Sequence, residues 1–516
     1  MKTNFTPVRC SLSGLLGREY VAAAVAARAR LTGESPGALR RMAETALDFF
    51  PRPFQRMLID LIPRIGTRVT RPLAASLSGA TSAAFAAATH RSRAPLSALG
   101  WYRVAEDGRL HCISKSEHYH ASLGHAFPGY QLVEHARRLG IPNATHNNTR
   151  GHITRLLEEE LVRTANGIAP GDAAGLARAL RSKAGTVLNR VLNLETGSLV
   201  AEAALKMMLA RFYRIHPEDP PPKYTGRTPV LLVLGDDQGG VRANYHGTTV
   251  LAQMLRGMWP ELGSAFARHG IMKVAALRPN NMTDLEAAFA RDEHGREKIA
   301  GFCHELVLMN YGGRLLDRAF IRRAYQLCRA HDVPTFVDEI QSCMWSPQLY
   351  LFREYGLRPA IVAVGKGFPG GEYPAARIIF ASPLDCLPQF GALVTNGQEE
   401  LAALAYLVTM RWAAANRAVT QAVGAYYEQH LRALAAAHPR LIHSVDGLRH
   451  LCALRFHAVQ PAKAFAAALV EKGYDSSVQT YKTSCPPAAL TKLPLIAGYE
   501  LVDAFVAAMD GVLQGM

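Results

Sequence analysis

Asp338 and Lys366 each close a short apolar run, TFVD at 335–338 and AIVAVGK at 360–366. The stretch between them is the length of one strand–helix–strand unit, so both would stand at the same edge of a sheet. A lysine placed directly after a buried strand is held partly out of water. Its amine then becomes a usable nucleophile, able to form a Schiff base. A carboxylate beside it can keep a ring nitrogen protonated. Taken alone, Lys366 also reads as a solvated loop lysine; the pairing with Asp338 is what carries chemistry.

A carboxylate facing a Schiff-base lysine is what pyridoxal 5′-phosphate needs, because a protonated pyridine ring draws electrons from the substrate Cα while the lysine moves protons. The phosphate then requires a cradle. Thr196, Gly197 and Ser198 open a helical pattern, and free N–H groups at a helix start suit an anion. The same three residues read equally as an ordinary N-cap.

These residues need a scaffold. From residue 190 onward short β-rich runs alternate with helical periods: PVLLVLGD, KVAALRP, GFCHELVLM, PTFVDEI, AIVAVGK and ARIIFA are the strands. That order predicts a mostly parallel sheet covered on both faces, with ligands outside the carboxyl ends of its strands. WYRVAEDGRLHCIS and VDGLRHLCALRF read as hairpins, and QEELAALAYLVTMRWAAANRAVTQAVGAYYEQHLRALAAAH and AGYELVDAFVAAMDGVL as helices. The first hundred residues read as helical, with GREYVAAAVAARARL, PGALRRMAETALDFF and PFQRMLIDLI as the clearest cases.

The chain has 516 residues and a net charge of +16, of which the first hundred residues hold 14 Lys/Arg against 5 Asp/Glu. A basic face of this kind either docks on the body of the protein or meets an anionic partner. Docking is the favoured reading, and nucleic acid is not expected, because basic residues are not interleaved with aromatics. No apolar run is long enough to span a membrane and no secretory signal is legible. The eight cysteines form no CxxC pair, which fits reduced thiols and a cytoplasmic setting and gives no metal site.

FVDEIQS followed by GKGFPGGEYPAARIIF resembles the class III aminotransferases, fold type I pyridoxal phosphate enzymes of the ornithine and 4-aminobutyrate aminotransferase kind. The match runs through Asp338, Glu339, Ile340 and Gln341, then Gly365, Lys366, Gly370, Gly371 and Pro374. LETGSLVAEAALKM, NYHGTT, HELVLMNYGG, LVTNGQEELA and SLGHAFP resemble further segments of that family in the same order. The resemblance covers residue 100 to the C-terminus.

It implies an α/β fold: a mostly parallel seven-stranded sheet sandwiched by helices, with a small α+β domain and an N-terminal helical extension. The implied boundaries are 1–98 for the extension, 99–160 and 415–516 for the two parts of the small domain, and 161–414 for the large cofactor-binding domain. It also implies roles. Lys366 is the Schiff-base lysine and general acid/base, and Asp338 pairs with the pyridine nitrogen. Gln341 bonds the phenolic oxygen side, Tyr245 stacks on the ring, and Gly197, Ser198 and Thr395 take the phosphate. Thr395 does so across a homodimer interface. Glu305 and Arg242 are substrate candidates, while His246 and Glu339 read as structural.

The implied reaction moves an amino group between an amine or amino acid and a keto acid or aldehyde. A racemase, epimerase or aminomutase on the same scaffold would use the same lysine and aspartate. A non-catalytic protein binding through its basic N-terminal arm is the reading from another class. The chain departs from the family at SCMWSPQLY, at Leu199 and at the C-terminal arginine, for which TKLPL offers Lys492. SCMW is therefore expected to face an unusual substrate.

Overall fold

Runs such as Thr228–Leu234 are buried at every position, so they belong in the middle of a sheet covered on both faces. The computed structural model describes all residues except 1, 116–120, 144–145, 396 and 479–484. Seven strands form the central sheet. In chain order they are β1 (Leu188–Leu194), β2 (Thr228–Leu234), β3 (Lys273–Leu277), β4 (Glu297–His304), β5 (Thr335–Asp338), β6 (Ile361–Val364) and β7 (Ala376–Ala381). Their spatial order is β1-β7-β6-β5-β4-β2-β3. β3, β2, β4, β5 and β6 run parallel to their neighbours, and β7 is antiparallel to both β6 and β1.

The pleat sends alternate residues into two cores. Phe336, Ile361 and Ala363 pack with Ala204 and Leu205 of the helix Gly197–Leu209. Val337, Val362 and Val364 belong to the larger core on the other side, with Phe320 and Ile321 of the helix Arg318–Ala330. Six strands, all but β7, end at the carboxyl edge together, and this edge collects the chemistry-bearing side chains.

Two antiparallel sheets flank this body. One holds Pro95–Leu99, Tyr102–Ala105 and Leu110–Cys112; the other holds Ile442–Leu448, Leu451–Phe456, Ala488–Leu490 and Ser477–Val478. Both expected hairpins are among them. A fully buried pair, Arg103 and Asp475, joins the two sheets, with Nη2 donating to Oδ1 at 3.1 Å.

The N-terminal segment is docked rather than free. Phe5 lies edge-on to Phe50 at 5.2 Å, and Phe50 meets Trp412 at 6.0 Å. Thr3 Oγ1 donates to Glu500 at 3.0 Å, and the Thr6 N–H donates to Asn416 Oδ1 at 2.8 Å. The helical expectation for PGALRRMAETALDFF fails after Glu44. Thr45 is extended, and Leu47–Asp48 pairs antiparallel with Arg9–Cys10. The turn delivers Phe49 and Phe50 into the core, and burying two aromatic rings outweighs helix propensity there. Residues 71–90 are exposed almost throughout. Among the described residues no helix is long and apolar enough to cross a membrane.

Candidate active site

β5 ends at Asp338, which pairs in register with Ala363 of β6. Lys366 follows a short step beyond Ala363, so the two reach the same edge. On the other flank Val337 pairs with His304 of β4, which brings Glu305 beside Asp338. A cavity of about 280 Å³ opens at this edge, and Lys366, Asp338, Gln341 and Glu305 line it. Gly197, Ser198 and Tyr245 line it too, and so do Glu195, His246, Gly247, Asn310 and Tyr373.

Lys366 is half-buried and its φ is 40°, in the left-handed region that lysine rarely adopts. Such a conformation costs on the order of 1–3 kcal/mol and persists only where the surroundings impose it. Here they do. Ser122 Oγ bonds the Gly367 carbonyl at 2.5 Å, and a Cβ on Gly367 would fall 2.7 Å from the Trp345 ring. The loop therefore lies flat on an indole, with glycine where nothing larger fits.

Asp338 is buried. Its Oδ2 accepts from His246 Nδ1 at 3.0 Å, and its Oδ1 accepts from the Ile340 N–H at 3.1 Å. A carboxylate only accepts, so His246 carries a proton on Nδ1. The other ring nitrogen, Nε2, is buried with no hydrogen-bond partner among the described residues. His246 is thus structural in a specific sense: it holds the aspartate that faces the cavity.

The residues fit pyridoxal phosphate. Thr196 caps the helix Gly197–Leu209, its side chain accepting from the Leu199 N–H, and the first turn borders the cavity. The His246–Gly247 turn approaches this helix closely. Gly247 has φ 119°, and a Cβ there would sit 2.6 Å from Ser198 Cα. Glycine at 247 therefore lets the turn pass close to the helix start, and Asp338 and Lys366 line the same cavity.

Two named candidates lie elsewhere. Arg242 is exposed in the short turn Val241–Ala243, and Thr395 is exposed in a turn; neither lines the cavity. Asp236, also past a strand end, accepts from the Gln238 and Gly240 N–H groups and closes its own turn.

The expectation for SCMW is corrected. Ser342, Cys343, Met344, Trp345 and Ser346 are buried and do not line the cavity. Glu339 organises them. It accepts from Ser342 Oγ at 2.7 Å, the Leu351 N–H at 3.1 Å and the Phe352 N–H at 2.6 Å. Burial pushes its carboxyl up to about 7. Lys492 is also fully buried and lies behind Gln341, not in the cavity. Sequence reasoning missed Glu195, Asn310 and Tyr373 as lining residues. Nothing in their types or spacing signals this; the first two follow β1 and the β4 region, and a reading of every strand end would have included Glu195.

Residues 152–508 match the family described as aminotransferase class-III. The diaminobutyrate–2-oxoglutarate transaminase of Vibrio cholerae is 24% identical over 326 residues, covering 60% of this chain and 73% of that protein. An ornithine aminotransferase of Schizosaccharomyces pombe is 33% identical over 104 residues, which is 20% of this chain and 23% of the relative's length. Among solved structures, the ornithine aminotransferase of Toxoplasma gondii superposes with a TM-score of 0.62 at 17% identity, over 82% of this chain and 90% of that one.

Proposed function

The chain belongs to the class III aminotransferase family, whose members use pyridoxal phosphate, and on that premise we propose that it is a transaminase working through Lys366 and Asp338. It moves an amino group from a small amine or amino acid to a keto acid or aldehyde. The observation that carries the reading is the convergence of Lys366, Asp338 and the helix start at Gly197 on one cavity.

When bound, pyridoxal phosphate supplies the electron sink that makes the donor's Cα proton removable. Lys366, which lines the cavity, is the amine that would hold the cofactor covalently and, when freed, would serve as the base and acid that moves the donor's proton. Asp338, oriented by His246 and the Ile340 N–H, would keep a proton on the pyridine nitrogen. Gly197 and Ser198 at the helix start would take the phosphate, Tyr245 would face the ring, and Gln341 would serve as a hydrogen-bond donor to it; all four line the cavity. Glu305 is the carboxylate available to the substrate.

The working form is a homodimer in which Thr395 reaches the neighbouring phosphate; its exposure in a turn outside its own cavity supports that arrangement. All eight cysteines are free, which supports a reducing, cytoplasmic setting.

The test is an absorbance titration of the purified protein with a panel of amines and amino acids, without any keto acceptor. A transaminase converts its bound cofactor to the pyridoxamine form in stoichiometric amount. A cofactor spectrum unchanged across the whole panel would point to a racemase or mutase, and the absence of any cofactor band would end the enzyme reading.

A further inference from the structure

Lys492 is the least expected cation near the cavity, because it does not reach it. It continues the strand Ala488–Leu490 and is 0% exposed. Its backbone N–H donates to the Ser114 carbonyl at 2.8 Å, and the carbonyl of Leu493 accepts from Trp345 Nε1 at 2.9 Å. The backbone is therefore clamped on both sides of the side chain. The ammonium lies 4.0 Å from the centroid of the Trp345 ring, donates to the backbone carbonyl of Gln341 at 2.7 Å, and lies 3.4 Å from Gln341 Oε1.

Burying an ammonium is costly unless its protons are engaged, so a protein retains one where the engagement has a use. The use follows from donor chemistry. A lysine ammonium has three protons and no acceptor site, whereas a glutamine amide has one accepting and one donating end. Facing Lys492, Gln341 can present only its oxygen. Its NH₂ is then turned away from the ammonium, and Gln341 lines the cavity. Without Lys492 the two amide orientations would be close in energy, and one of them would offer the cavity an acceptor instead.

We propose that Lys492 is a positioning residue that locks the Gln341 amide with its NH₂ toward the cofactor, as a committed hydrogen-bond donor. The inference rests on the cofactor reading given above. It assigns a purpose to the C-terminal strand: the flanking sheet sets the polarity of a group on the central one. It also accounts for Trp345, whose ring stabilises the ammonium by cation–π contact and also packs against Gly367.

The test uses pyridoxal phosphate itself and reads its dissociation constant and the position of its bound absorbance band. Lys492→Met is expected to weaken cofactor binding about tenfold, the scale of one lost charge-assisted hydrogen bond, and to move the band. In a Gln341→Met background the same change should add nothing. A second pair leaves Lys492 in place and so holds even if Lys492→Met fails to fold. Gln341→Glu, which replaces the donor with an acceptor, should bind the cofactor more weakly than Gln341→Met. The proposal falls if Lys492→Met changes neither readout, if its effect persists undiminished without Gln341, or if Gln341→Glu binds as tightly as the unmodified protein. Failure of the unmodified protein to bind pyridoxal phosphate would instead overturn the cofactor reading beneath it.

Discussion

Asp338 and Glu339 are adjacent carboxylates, both buried, and they serve two different regions. Asp338 faces forward to a cavity where Lys366, Gln341 and Glu305 converge. Glu339 faces back into a layer made of Ser342 to Ser346, Leu351 and Phe352, which it ties together through three hydrogen bonds. Period-two geometry makes the division unavoidable, since successive residues of an extended chain point to opposite sides. The cavity region exposes groups to a ligand, and the layer behind has no contact with one. What the layer does is impose positions: Trp345 beneath Gly367, Lys492 behind Gln341. Chemistry and its support are separated by a single peptide bond.

The comparison can be broken most sharply at Lys366. Lys366→Ala should remove turnover altogether, a loss on the order of 10⁴-fold or more, measured as initial rate with any active donor. Measurable turnover at a few per cent of the original would place the essential amine elsewhere. Asp338→Asn keeps shape and removes charge. It should lower kcat on the order of 10²–10³-fold, as for the loss of one preorganised electrostatic partner, with little change in melting temperature.

Glu339→Ala should show the opposite pattern. Two buried N–H groups and a hydroxyl lose their acceptor, at about 1–3 kcal/mol for each group left unpaired, so the loss appears in urea unfolding. If Glu339→Ala cut turnover while leaving stability intact, the two regions would not be distinct.

The finest effect is in pH. Glu339 titrates near 7 when folded, well above the ordinary carboxyl value, so the folded state binds the extra proton between those values. Its contribution to stability is present in acid and is lost as pH rises toward 7. Glu339→Ala should therefore flatten the stability profile between pH 4.5 and about 7. His304 and His450 act in the other direction. Burial pushes both down to about 3, so the unfolded chain takes up their protons first and stability falls as pH drops below about 6.5.

Six strands of the sheet were legible in the sequence as apolar runs, and the cavity because Asp338 and Lys366 are rare residue types at strand ends; the seventh strand, Leu188–Leu194, was not, because LNRVLNL carries an arginine and two asparagines. The supporting layer was not legible. Cys343, Met344 and Trp345 have nothing in their types to distinguish a substrate wall from a buried platform, and only the three-dimensional path of the chain decides it. Lys492 illustrates the same limit: the sequence offers it only in place of the family's C-terminal arginine, and its location depends on a strand pairing more than a hundred residues from Gln341. In the N-terminal segment, local helix propensity described Pro36–Glu44 well and then gave way at Thr45 to a distant demand, the burial of Phe49 and Phe50.

The latch between the two chain ends has a consequence in time. Thr6 waits for Asn416, 410 positions later, and Thr3 for Glu500, 497 positions later. At the ordinary pace of synthesis, about 5–20 residues per second, the first of these partners emerges roughly 20–80 s after the segment that needs it. Throughout that interval Phe5, Phe49 and Phe50 have no Trp412 to cover them. The nascent protein thus carries this aromatic cluster on the ribosome without its Trp412 contact until residue 412 has emerged. Nascent chains halted before residue 412 should recruit holdase chaperones through their first sixty residues, and chains halted after the final helix should not.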